Sequence, residues 1–543
     1  MNRVNPVKLM GFLVAVLLVM GAMALLKGGV FIARHEADTL HLMQIVMRMD
    51  AGQWPHLDFM TPLGVLAFAP IVFFVGQGTG MGHALLFAQI AMAMVLLPAL
   101  WWIGISRLRG WLSYLFGTVV IVLVTALVFG GTEPALSVSM YYNRWAWAIA
   151  FVAIATAVLP AIGSKCPLAD GVIIGLAMAA LVLIKATYFV AFAPAVIVAL
   201  VMQKSWRTLG VALLAGMAVA VLVTLVAGLG FWQAYIGDLL LVAQSTTRPR
   251  PGLPLASILF APAYIGATAV AVLTVVLLAQ SGQRSATAAL ALLVPAFVYV
   301  TYQNFGNDPQ WLSLLAILIL MFRPDIGPRN RWGWDIRKAM NFTAVVALAL
   351  ALPSVFNMAT SPYRQLGVNA AWYEPMLPRN AMHSDLKVLT IRSRRVDARV
   401  PLDGTGAGLE HLRKVAMRPD KALLLGEPLV DCQIKEGLPG WIDAIAQDLE
   451  RAGLSKGKRL FVADSFSSHW MFGDLQPLEH GAPWYYGGLP GVESASYLLV
   501  PLCPAEPRIR KKILNEFNAR DDISLTEIRR TPLYILLDIA QRN

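Results

Sequence analysis

The chain has 543 residues, 57% of them hydrophobic and only 14% charged, against about 25% charged in an ordinary soluble protein. Residues 1–359 hold 30 of the 76 charged side chains and residues 360–543 the other 46, so the deficit lies in the first two thirds. That split excludes a single soluble enzyme, a disordered chain and a disulfide scaffold. It describes an α-helical polytopic membrane domain, residues 1–359, followed by a small α/β soluble domain, residues 360–543. Most of the net charge of +12 also sits before residue 360, where 20 Lys and Arg face 10 Asp and Glu. Extra cations in cytoplasmic loops set the orientation of membrane proteins, so nucleic acid is not an expected partner.

Apolar runs long enough to cross about 30 Å of hydrocarbon lie near 10–32, 82–105, 112–130, 145–162, 209–229, 257–279, 287–303 and 339–356. Shorter ones lie near 61–76, 171–184, 186–202 and 311–322, which makes about a dozen spans, between 11 and 13. The first run is too long for the core of a cleaved signal peptide and reads as an uncleaved anchor. The basic positions Arg3, Lys8, Arg107, Arg109, Lys204, Arg207, Arg284 and the cluster at 323–338 predict a cytoplasmic N-terminus and a C-terminal domain on the outer side. Seven of the ten carboxylates then fall in outer loops. Twelve complete crossings would return the C-terminus to the cytoplasm, so one segment does not cross; the candidates are 61–76 and the stretch 171–202, broken at Lys185.

In the soluble part, 422–425, 460–463, 497–500 and 534–538 read as short strands, and 441–453 and 507–520 have helical spacing. Cys432 and Cys503 both fall here and can pair in an oxidising compartment. The run Gly487-Gly488-Leu489-Pro490-Gly491 reads as turns, since it lacks the strand and helix that frame a dinucleotide site.

The most informative segment is the first outer loop, 34–60. It opens Arg34-His35-Glu36-Ala37-Asp38-Thr39 and continues through Leu40, Ile45, Val46 and Met49 at helical spacing, predicting an amphipathic helix at the membrane surface. It then runs Gly52-Gln53-Trp54-Pro55-His56-Leu57-Asp58-Phe59-Met60-Thr61-Pro62-Leu63-Gly64. Acids directly after the first span, a surface helix and this second stretch together resemble the GT-C superfamily of membrane glycosyltransferases, such as protein mannosyltransferases and the lipid A aminoarabinose transferase. The resemblance extends to the whole architecture but at residue level covers about 30 positions. It implies a polyprenyl-phosphate-linked sugar donor, a glycan, lipid or protein acceptor, and a catalytic base just after the first span. The matching position is Asp38, with Glu36 beside it; the acids are spaced Glu-Ala-Asp instead of adjacent, so the base is one or the other.

The chemistry stands without the resemblance. A polyprenyl phosphate leaves readily, so catalysis needs one carboxylate to take the acceptor proton and cations to stabilise the departing phosphate. Asp38, Glu36 and Asp58 are the candidate acids; Asp38 has a solvated or helix-capping alternative, and for Asp58, ahead of Phe59 and Pro62, a capping or anchoring alternative is stronger. Lys185, inside Leu181-Val182-Leu183-Ile184-Lys185-Ala186-Thr187-Tyr188-Phe189, is the sharpest cation, because an ammonium in a bilayer is unfavourable unless paired or hydrated. If 171–202 is a hairpin, it reaches the outer face, where a lipid phosphate arrives; a structural ion pair is the alternative. Arg144, among Tyr141, Tyr142 and Trp145, and Arg248 and Arg250 can fork around a phosphate, although Arg144 also suits an interfacial anchor. Asn304 and Asp308, in Asn304-Phe305-Gly306-Asn307-Asp308-Pro309, can bind a sugar or form a capped turn. No cofactor is implied. Glu36, Asp38 and Asp58 could hold a divalent cation, but no spacing demands one.

The expectation is an inverting transferase in a bacterial inner membrane, with its site and C-terminal domain periplasmic. A polymerase or ligase of surface polysaccharide using the same carrier is the alternative. A transporter fits less well, lacking repeats and intramembrane charges beyond Lys185.

Overall fold

The computed structural model describes residues 4–247, 254–304, 307–402, 408, 410–412 and 421–541. Its first two thirds are helical: α1 (Pro6–Leu25), α2 (Glu36–Asp50), α3 (Ala69–Val75), α4 (Met81–Ser106), α5 (Trp111–Thr125), α6 (Tyr141–Val158), α7 (Pro167–Met202), α8 (Trp206–Ala227), α9 (Leu229–Gln244), α10 (Leu255–Leu259), α11 (Pro262–Gln280), α12 (Arg284–Gln303), α13 (Leu312–Phe322) and α14 (Ile336–Leu366). Among the described residues, seven helices are long and apolar enough to cross a membrane: α1, α4, α7, α8, α11, α12 and α14. This is fewer than the dozen predicted. The runs near 112–130 and 311–322 yield helices of 15 and 11 residues, and 61–76 yields only a 3-10 turn and the seven-residue α3.

The 171–202 stretch explains another part of the difference, because α7 contains both predicted spans. Lys185 is extended (φ −158°, ψ 101°), and the helix doubles back there. Arg107 donates to the Thr156 carbonyl (3.0 Å) and pairs with Asp170 at the start of α7 (2.7 Å). Gln203, just past the end of α7, donates to the carbonyls of Ala157 and Val158 (3.0 and 3.2 Å). Both ends of α7 therefore meet the same end of α6, whereas 36 straight helical residues would span about 54 Å. At the turn, the Ile184 carbonyl accepts from Gly64 N–H (3.1 Å) and that of Val182 from the Tyr235 hydroxyl (2.7 Å). A Cβ on Gly64 would sit 2.2 Å from the Leu183 oxygen, so only glycine lets the turn press this close.

The bundle thus has a Lys185 end and an Arg107 end, and charge separates between them. Glu36, Asp38, Asp50, Asp58, Glu133, Asp238 and Asp308 all lie toward the Lys185 end, and the basic turns around Arg107, Lys204, Arg284 and 323–338 toward the other.

The C-terminal domain sits on the Lys185 end. α14 continues through residue 359 to Leu366, so the boundary falls later than composition suggests. Beyond it come β2 (Tyr373–Pro375), β3 (Leu386–Leu389), α15 (Thr390–Arg394), β4 (Asp397–Arg399), β5 (Leu423–Leu424), β6 (Glu427–Pro428), β7 (Gln433–Glu436), α16 (Leu438–Arg451), β8 (Leu460–Val462), β9 (Tyr497–Pro501), α17 (Pro507–Asn518), β10 (Ile523–Arg530) and β11 (Tyr534–Gln541). The main sheet has the order β10-β11-β9-β8, parallel only between β8 and β9. All four predicted strands and both helices are present; β10, with its polar Ser-Leu-Thr-Glu pattern, is an edge strand that apolar content does not reveal. Cys432 and Cys503 form a disulfide.

The first loop is built into this domain. β1 (Val30–Ile32), directly after α1, pairs parallel with β3, which pairs antiparallel with β2. The Asp385 carboxylate caps α4, accepting from the backbone of Gly82 and His83 (3.0 and 2.7 Å) and from His83 Nδ1 (2.7 Å). The predicted surface helix becomes α2, but it is covered on both sides. The Gln44 side chain donates to Ser468 Oγ and the Pro483 carbonyl, and Arg48 to the Leu478 carbonyl (3.2, 3.0 and 3.1 Å).

The 3-10 turn Ser468–Phe472, packed on α2, holds the fully buried His469. Neither ring nitrogen has a partner among the described residues, and a void of about 10 Å³ beside it is wide enough for one water. Burial pulls the His469 pKa down to about 4. Between pH 6.5 and 4 the unfolded chain binds a proton that the folded one refuses, so stability falls as pH drops through that window, by up to about 3 kcal/mol. Thermal unfolding at pH 7 and pH 4.5 should therefore show a smaller acid-induced loss for His469→Met than for the unaltered protein; equal losses would mean another group carries the pH dependence.

Candidate functional site

A cavity of about 520 Å³ lies between the Lys185 end of the bundle and the C-terminal domain. Its lining comes from His35, Asp38, His41 and Leu42 at α2; Pro62 and Leu63 ahead of α3; Phe129, Ser139 and Met140 from the α5–α6 loop with Tyr142 of α6; Lys185 and Thr187 at the turn of α7; Leu239, Val242 and Ala243 of α9; Tyr299 and Gln303 of α12; and Trp484 and Tyr486 of the C-terminal domain.

Helical geometry separates the two first-loop acids. Glu36 and Asp38 are two residues apart, about 200° around the axis, and so face different neighbours. Asp38 shares a face with His35, His41 and Leu42 and lines the cavity. Its Oδ2 accepts from the Ser139 hydroxyl at 2.5 Å. Glu36 is buried and pairs with Arg392 (2.9 Å), which also holds Glu436 (2.9 Å). Its carboxylate thus joins α2 to the C-terminal domain. His35, at φ 64°, stacks on Phe129 with centroids 4.8 Å apart and places Nδ1 3.0 Å from Ser137 Oγ. Burial lowers its pKa below the ordinary histidine value, against the opposing pull of Asp38, which favours a neutral ring beside the acid.

Lys185 reaches the cavity because the break in α7 turns it out of the helical ladder. Its ammonium donates to Asn143 Oδ1 (3.0 Å) and Asn304 Oδ1 (2.5 Å) and lies 5.7 Å from the Tyr142 ring centroid. Asn304 also donates to the Tyr188 hydroxyl (2.8 Å). Two amide oxygens fix the direction of the ammonium.

The other predicted residues take structural places. Asp58 Oδ2 accepts from Trp54 N–H (2.6 Å), closing the turn 54–58, and does not line the cavity. Arg144 is buried under the α5–α6 loop, donating to the carbonyls of Ala126 (2.8 Å), Val128 and Ser139 (3.4 Å). It holds the loop that carries Ser139 and does not itself line the cavity. Asp308 accepts from the Ser354 hydroxyl, tying its turn to α14. Asn304 acts through Lys185. Arg248 and Arg250 lie outside the described residues.

Sequence reasoning passed over Ser139, Asn143, Gln303, Trp484 and Tyr486. The last two had a signal: the aromatic run Trp484-Tyr485-Tyr486 ahead of paired glycines, in the long connection 463–496 between parallel strands. Tyr485 is buried in the domain core, while its neighbours line the cavity. The Tyr486 carbonyl is tied down by the hydroxyls of Ser245 (2.5 Å) and Thr247 (2.7 Å), past the end of α9. Among the described residues, no three His, Cys, Asp or Glu gather as a metal-binding group. Comparison with known proteins returns no matching family, no matching curated protein and no matching solved structure.

The Glu36–Arg392 pair gives a test of the division of labour within α2. Glu36→Gln should lower stability by about 2 kcal/mol, the scale of a charge-assisted hydrogen bond. Arg392→Gln should act through the same contact, making the double variant less damaging than the two single losses combined. Additive losses in thermal unfolding would show that the contact does not join the two domains.

Proposed function

We propose that the chain is a membrane glycosyltransferase that moves a sugar from a polyprenyl-phosphate donor to an acceptor hydroxyl outside the membrane, with inversion at the sugar. The observation that carries the reading is the meeting of Asp38 and Lys185 in one cavity, an acid and a cation under a domain that reaches the aqueous side. In this mechanism the acceptor oxygen attacks the anomeric carbon while the bond from that carbon to the phosphate oxygen breaks. The carbon inverts, polyprenyl phosphate leaves with the bonding electron pair, and the acceptor proton passes to Asp38. Ser139 holds one carboxylate oxygen, leaving the other to receive the proton. Lys185 balances the charge gathering on the phosphate. Trp484 and Tyr486 supply ring faces of the kind that pack against a sugar.

The helical arrangement supports a GT-C-like architecture within the expected 11–13 spans. With the two halves of α7 counted separately and α5, α6 and α13 taken as crossings, the chain passes eleven times. α2, α3 and α9 stay at the Lys185 end. An odd number leaves the termini on opposite sides, and the basic turns at the Arg107 end favour a cytoplasmic N-terminus. The Cys432–Cys503 disulfide fits an oxidising compartment, in keeping with the periplasmic side of a bacterial inner membrane. A cavity of about 520 Å³ suits a small ligand better than the long acceptor groove of a polysaccharide polymerase.

For topology, a reporter active only in the cytoplasm, fused after Asn543, should be silent; strong activity would reverse the orientation. For chemistry, Asp38→Asn keeps the shape and removes the proton acceptor, so turnover of a polyprenyl-phosphate sugar should fall about 10²–10⁴-fold while donor binding persists. Glu36→Gln should retain turnover in whatever fraction stays folded. The reverse pattern would assign the base to Glu36, and full activity in both would reject the carboxylate mechanism.

A further inference from the structure

The end of the bundle opposite the cavity carries a feature that orientation by charge does not require. Residues 329–335 form a tight hairpin, with Arg329 and Asp335 paired as an antiparallel bridge. Asn330 N–H donates to the Trp334 carbonyl (2.8 Å) and Gly333 N–H to that of Asn330 (2.9 Å). The Asn330 side-chain oxygen accepts from the backbone of Trp332 and Trp334 (3.0 and 2.8 Å), and its amide nitrogen donates to Gln280 at the end of α11 (2.9 Å). Gly333 takes φ 77°, the left-handed conformation that a side chain would disfavour.

This braced hairpin holds its indoles away from any core. Trp332 and Trp334 are 48% and 52% exposed, edge to face with centroids 5.6 Å apart, and the Arg331 guanidinium lies 5.2 Å from the Trp332 ring. Such a surface is unfavourable in water, whereas the bilayer interface is where tryptophan is enriched. Around the indoles, Arg329, Arg331, Arg337 and Lys338 are exposed. Of the two local acids, Asp335 caps α14 by accepting from Lys338 N–H (3.0 Å), and Asp325 lies 3.8 Å from Arg109. The surface is cationic, aromatic and rigid, immediately before a membrane-length helix.

We propose that this hairpin is a binding site for anionic phospholipid headgroups in the leaflet at the Arg107 end. The phosphate is received by Arg329, Arg331, Arg337 and Lys338, and the two indoles lie at the boundary between headgroup and acyl chain. The site depends on the bundle standing in a bilayer and is independent of any transferase activity. A basic residue near an anionic surface is worth about fivefold in affinity, so removing two should weaken binding about 25-fold.

The test titrates the full-length protein in detergent with phosphatidylglycerol or phosphatidylcholine, reading the rise in thermal midpoint. Phosphatidylglycerol should saturate at much lower mole fraction than phosphatidylcholine, and Arg329→Gln/Arg331→Gln should need about 25-fold more of it. In parallel, phosphatidylglycerol spin-labelled near the headgroup should quench the unaltered protein more than Trp332→Phe/Trp334→Phe, a readout that does not depend on the arginine variant folding. Equal titrations by the two lipids, an unchanged arginine variant, or quenching that does not involve these indoles would each overturn the proposal. So would complete competition by inorganic phosphate, which would indicate a site for a free anion instead of a lipid surface.

Discussion

A lysine in the middle of a 36-residue apolar stretch sets the geometry of this molecule. Left in hydrocarbon, its ammonium would be strongly unfavourable, and an unbroken helix would carry it there. The chain turns back at Lys185 instead. That turn brings the amine to one end of the bundle, where Asn143 and Asn304 accept from it. The carbonyls at the turn find donors in Gly64 and Tyr235, the kind of internal satisfaction that irregular backbone at membrane depth requires. The position of the cavity, the packing of α9 against the turn and the role of Asn304 all follow from that single break.

The second constraint is the way the C-terminal domain is fastened. β1 leaves the first helix and joins the sheet of β3 and β2, and Asp385 caps α4 from the domain side. Glu36 pairs with Arg392 across the same joint. These contacts hold α2 between bundle and domain, which turns one face of the helix, with Asp38, into the cavity and the other toward the ion pair. A carboxylate on a freely moving loop could not be held in the same cavity as a fixed amine in this way.

Much of this was legible in the sequence because it depends on local pattern. The apolar runs, the break at Lys185, the helix after the first apolar run and the short strands of the C-terminal domain each follow from periodicity or charge over a few residues. The number of long helices was legible only in part: the parity of crossings marked 61–76 as a candidate that does not cross, but 112–130 and 311–322 yield helices of only 15 and 11 residues, and apolarity alone does not separate packing from crossing. For Arg144 and Asp58 the sequence left a ligand role and a structural one open; in the structure Asp58 accepts from Trp54 N–H in its own turn, and Arg144 donates to carbonyls of the α5–α6 loop. Ser139 and Asn143 are unremarkable in sequence: only tertiary contacts bring Ser139 to the cavity and Asn143 to the Lys185 ammonium. Glu36 and Asp38 could be told apart only once the helix start was fixed, since their separation of two residues matters only on a helix.

Direct binding of a polyprenyl phosphate tests whether the cavity is a lipid-phosphate site at all. With full-length protein in detergent, a fluorescent polyprenyl phosphate should bind saturably, and in the folded fraction of Lys185→Ala that binding should weaken by about tenfold or more, the loss of one charge-assisted contact. Unchanged affinity in Lys185→Ala, together with a lowered melting temperature, would contradict the assignment and make the lysine a structural tie between α6, α7 and α12.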